Sequence, residues 1–82
     1  METQTCKVGG QVTFGDNVRV EVISSEFVDS INHANLNVFT KDKMSSVKMT
    51  SNFPVSFDDF ELSILNVKFT DPTMVAIQFE KI

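Results

Sequence analysis

Apolar and polar residues alternate with a period of two along nearly the whole chain. Nowhere do apolar residues recur at the i, i+3, i+4, i+7 spacing of a helix face over two turns. The alternation predicts strands at residues 4–8, 11–14, 18–27, 34–40, 45–51, 60–69 and 74–82, parted by turn signals. In the third segment Val18, Val20 and Val22 face one way while Arg19 and Glu21 face the other. In the last, Val75, Ile77 and Phe79 oppose Gln78 and Glu80. About seven short strands at such spacing predict a small antiparallel β-sandwich or barrel, one domain over residues 1–82.

Two segments change phase. Ile23 and Phe27 fall on the opposite parity to Val22, and Leu65, Val67 and Phe69 on the opposite parity to Ile64. A β-bulge near residues 22–25, or long strands that bend to serve both sheets, accounts for this. Gly9-Gly10 between two short runs reads as a tight hairpin, because glycine takes positive φ freely. Residues 29–33 read as a polar connection carrying His33. The parity of Val47 and Met49 runs on through Phe53, Val55 and Phe57, and Pro54 marks a bend or an edge there.

Composition agrees with the pattern. Eleven Val, five Ile, seven Thr and eight Phe suit pleated sheets, against two Ala and three Leu. The longest apolar run, Met74-Val75-Ala76-Ile77, falls far short of the ~20 residues of a membrane helix. One cysteine, Cys6, excludes an intramolecular disulfide and favours a reducing compartment. The net charge of −4 and the scattered lysines, with no Tyr or Trp, speak against direct nucleic-acid binding.

Candidate chemistry is sparse. Nucleophilic catalysis needs a nucleophile beside an oriented base, and Cys6 and His33 lie far apart with no motif around either, so no catalytic residue is assigned. Two possible soft ligands are too few for structural zinc, and the glycines lead into strands rather than into a phosphate-binding helix. No metal or cofactor is expected. The concentrated charge is Asp58-Asp59-Phe60-Glu61, with Phe57 before it. Phe57 and Phe60 differ in parity, so a simple strand exposes one ring beside the carboxylates, whereas a bulge buries both. A partner-binding surface at Phe57, Asp58, Asp59, Phe60 and Glu61 competes with a merely solvated turn and with calcium. Asn35, Asn37 and Phe39 share the face opposite Leu36 and Val38, a weaker candidate for sugar or other small-ligand binding. Phe39 is otherwise expected to cover a second core layer.

These features lead to a non-enzymatic protein–protein interaction module. The expected form is a small microbial or phage accessory or inhibitory protein, acting in the cytoplasm on a basic surface of a host protein such as a nucleic-acid-handling defence enzyme. Exposed edge strands also predict a homodimer by strand addition. The alternatives are a structural subunit of a virion or surface assembly, and a module binding sugar, nucleotide or calcium.

Overall fold

The computed structural model describes residues 2–57 and 59–82, and they form eight strands and no helix. The strands are β1 (Glu2–Lys7), β2 (Gln11–Phe14), β3 (Val18–Val28), β4 (Ile31–Phe39), β5 (Met44–Thr50), β6 (Val55–Ser56), β7 (Phe60–Lys68) and β8 (Met74–Lys81). They make two antiparallel four-stranded sheets, ordered β1-β8-β7-β6 and β2-β3-β4-β5. The fold is therefore an all-β sandwich with two open sheets, not a closed barrel. The inward set of each strand fills the space between the layers: Val18, Val20 and Val22 from β3, Leu36 and Val38 from β4, Leu62 and Ile64 from β7, Val75 and Ile77 from β8. Two-sided alternation leaves the polar set on the outer faces, which is what an antiparallel sheet with one solvated side requires.

Both phase changes are bulges. The β3–β4 register slips at Ile23, between Val22 and Ser24, and the β7–β8 register slips at Leu65, between Ile64 and Asn66. Each extra residue resets the alternation so that Val67 points inward again. Neither long strand passes from one sheet to the other, which corrects the expectation that they serve both.

The two sheets repeat one topology. Each has a long bulged hairpin at its centre, β3–β4 or β7–β8, with a short strand before it and a flanking strand, β5 or β1, on its other side. Val18, Val22, Ile23 and Phe27 in one hairpin correspond to Phe60, Ile64, Leu65 and Phe69 in the other. Phe27 and Phe69 meet edge-on at 6.4 Å where the two hairpins lean together. No sequence repeat announces this, because apolar character alone is shared, buried at Val18, Val22, Phe60 and Ile64 and exposed at the other four positions.

Two local expectations are corrected, and the bend or edge expected at Pro54 is present. Gly9-Gly10 is a crossover between sheets and not a hairpin: β1 pairs with β8, and β2 with β3. The turn is closed by the Gly10 N–H donating to the Lys7 carbonyl at 2.9 Å, with Gly9 at φ 88°. Residues 29–33 are mostly strand; the connection is the pair Asp29-Ser30 alone, both at positive φ, which places His33 within β4. The segment after Thr50 likewise leaves the sheet. Phe53 closes a turn on Thr50, and the chain crosses to the other layer as the two-residue β6, the strand the alternation merged with its neighbour.

Candidate functional site

The expected contact segment is the turn between β6 and β7. The Phe57 N–H donates to the Phe60 carbonyl at 2.7 Å, and the Ile82 N–H donates to the Asp59 carbonyl at 2.9 Å. The turn is thus fixed to the end of β8. Asp58 lies outside the described residues. Phe57 stacks on Phe60 at 4.8 Å, Phe60 on Phe79 at 5.2 Å, and Phe79 on Phe14 at 5.4 Å. Offset-stacked rings at these separations are favourable beyond their buried area. This aromatic row draws both Phe57 and Phe60 toward the core, with Phe60 only 3% exposed. Phe60 therefore holds the turn from below and offers no outer surface, and Phe57 is half-buried.

The carboxylates remain outside. Asp59 is exposed and borders two adjoining clefts at this end of the sandwich, of about 770 and 300 Å³. Lys41, Asp42 and Lys43 flank the larger, and Glu2, Asp16 and Lys81 the smaller, so both are mixed in charge. Glu61 projects from the outer face of its sheet, where it accepts a hydrogen bond from the Ser56 hydroxyl at 3.4 Å. Directly across the ladder from Glu61 stands Glu80. Like charges in direct cross-strand register oppose folding, and Ser56 is the hydrogen-bond partner the structure gives Glu61. Glu80 escaped the sequence reading because its outward parity was visible but its register against Glu61 was not. Among the described residues no three His, Cys, Asp or Glu side chains converge as metal ligands.

The second candidate surface is differently disposed. Asn35 donates to the Ser24 hydroxyl at 2.8 Å. Asn37 donates to Glu21 at 3.2 Å and accepts from the Ser46 hydroxyl at 2.7 Å. These amides knit the outer face of β3-β4-β5, with donor and acceptor of Asn37 both engaged. Phe39 covers no second core layer: it lies on the same face, with the Arg19 guanidinium 4.1 Å above its ring. That contact shields the aromatic surface a sugar would need.

Cys6 and His33 are not brought together. Cys6 is buried inside β1, where desolvation raises its thiol pKa above the ordinary value, offset in part by a backbone hydrogen bond from Val22 and by Lys7. His33 sits on the outer face of the other sheet, paired across to Glu26 and Thr50. Its Nδ1 and the Thr50 hydroxyl are buried without hydrogen-bond partners among the described residues. No protein-family model, curated protein or solved structure matches the chain.

Proposed function

We propose that this chain is a non-enzymatic protein–protein interaction module that binds a basic surface of its partner through Asp59, Glu61 and Glu80. The observation that carries the reading is the Glu61–Glu80 pair. Two carboxylates held opposite each other on an outer face cost stability, and a cationic partner would reverse that cost on binding. The rigid footing beneath them, a tied turn over stacked rings, keeps the ordering entropy of association low. The expected setting is the interior of a microbial cell or of its phage-infected host. The partner class is a protein with a nucleic-acid-binding groove, whose basic lining suits an acidic sheet face.

The test pairs stability with binding. Glu80→Gln keeps shape and hydrogen-bonding capacity while removing one of the opposed charges. Its fold should be more stable by about 0.2–1 kcal/mol, and the partner captured by the native chain from a host lysate should be lost or retained more weakly. Glu26→Gln, on the other sheet, is the control and should leave capture unchanged. Undiminished capture by Glu80→Gln would remove this face from the interaction.

A further inference from the structure

We infer that β5 is the self-association edge of the molecule, pairing antiparallel with β5 of a second copy to join two four-stranded sheets into one of eight. The hydrogen-bond phase of the β4–β5 ladder supplies the first argument. Thr40 N–H donates to the Lys43 carbonyl and Ser51 N–H to the Asn32 carbonyl. With the observed register, residues 45, 47 and 49 direct their backbone groups to β4. Met44, Ser46, Lys48 and Thr50 therefore direct theirs away from it. Of these, the Thr50 carbonyl accepts from Phe53 N–H. Among the described residues, no other element hydrogen-bonds the outward backbone groups of Met44, Ser46 and Lys48.

The other edges are closed or short. On the opposite flank, Gln4 donates its side-chain amide to the Thr13 carbonyl, and Glu2 accepts from Gly15 N–H at 3.2 Å, so β1 and β2 are bridged across the layers. β2 has four residues and β6 two. β5 has seven, without proline or glycine. Its one charge, Lys48, is drawn back across its own sheet to Glu26 at 3.7 Å. An edge of that length without a blocking device is a template for another strand.

The sequence of β5 then selects a second copy as its occupant. A two-fold axis beside Val47 places Ser46 opposite Lys48 of the other copy and Met44 opposite Thr50. No like charges meet, and the outward backbone groups of Ser46 and Lys48 face those of Lys48 and Ser46 in hydrogen-bonding phase, while Phe53 keeps the Thr50 carbonyl within its own copy. A register that sets Lys48 against its own copy is disfavoured by repulsion. Closed two-fold pairing also uses the same edge on both partners and leaves no further β5 exposed.

Sedimentation equilibrium over a wide concentration range tests this directly. The native chain should show a monomer–dimer equilibrium. Ser46→Lys sets two Lys–Lys contacts across the axis, and should weaken the dimer by roughly two- to thirty-fold at low salt, with part of the loss recovered at high salt. Ser46→Pro removes an outward N–H that bonds no described residue of its own copy, and should abolish the dimer. Far-UV circular dichroism reports whether each variant folds; should the proline variant unfold, the lysine variant decides. A native chain that stays monomeric, a mass above the dimer, or a dimer untouched by Ser46→Lys would each overturn the assignment.

Discussion

Phe79 occupies the middle of the aromatic row, with Phe14 on one side and Phe60 on the other. Replacing it with leucine keeps an apolar side chain of nearly similar bulk but removes both stacked pairs. Each such pair is worth about 0.5–1.5 kcal/mol beyond area burial, so Phe79→Leu should cost about 1–3 kcal/mol before any repacking penalty. A domain of this size has about 4–12 kcal/mol to lose, at 0.05–0.15 kcal/mol per residue. The variant should therefore fold, with its urea midpoint clearly lowered and its m-value unchanged. Far-UV circular dichroism is the suitable probe, since the chain has no Trp or Tyr. Phe27→Leu is the matched control. Phe27 also touches one aromatic ring, Phe69, but is 61% exposed, so the same chemical change should cost well under half as much. Equal losses in the two variants would show that the stacked row is not a special source of stability.

Ser30 holds φ 65° in the two-residue turn joining β3 to β4, a conformation costly for a side chain, so Ser30→Gly should raise stability by about 1 kcal/mol in the same urea assay. Asn37→Ala removes the links to Glu21 and Ser46 and should lose about 1 kcal/mol, the low end of two hydrogen bonds because the face is open to water. Cys6 should react with iodoacetamide more than about ten-fold faster in denaturant than in the native state, since burial withholds both the sulfur and its thiolate. Because folding raises that thiol's pKa, the native state binds its proton more tightly. Stability should be unaffected below the unfolded thiol pKa and fall as pH rises through and above it; the loss at pH 9.5 relative to pH 7 should be smaller in Cys6→Ala.

Much of the architecture was readable in the chain because burial imposes parity. Val18, Val20 and Val22 could only be one face of a strand, and the shift at Ile23 could only be an extra residue or a change of sheet. What parity cannot encode is which strand lies beside which. That is why Gly9-Gly10 looked like a hairpin: β1 finds its partner at the far end of the chain, in β8. The Asp29-Ser30 turn was hidden because neither residue is the glycine or asparagine that usually marks positive φ. The burial of Phe60 was hidden for a related reason. Phe57 and Phe60 differ in parity, but the Phe57 N–H bonds the Phe60 carbonyl and the two rings stack on one side. The same blindness to register concealed Glu80 opposite Glu61, although both were recognisably outward.

The pairing of Glu2 with Phe79 and of Lys7 with Met74 has a mechanical consequence. The outer ends of β1 and β8 lie together, so tension applied between residues 2 and 82 loads one rung of the ladder at a time. Such a geometry peels instead of shearing. β1 would leave first, drawing Cys6 out of the interior and freeing the bridges from Glu2 and Gln4 to the opposite layer. The bulged hairpin of β3 and β4, anchored away from the load, would be the last element to yield. A chain held by its ends is thus soft at its first sheet and firm at its second, even though the two share one topology.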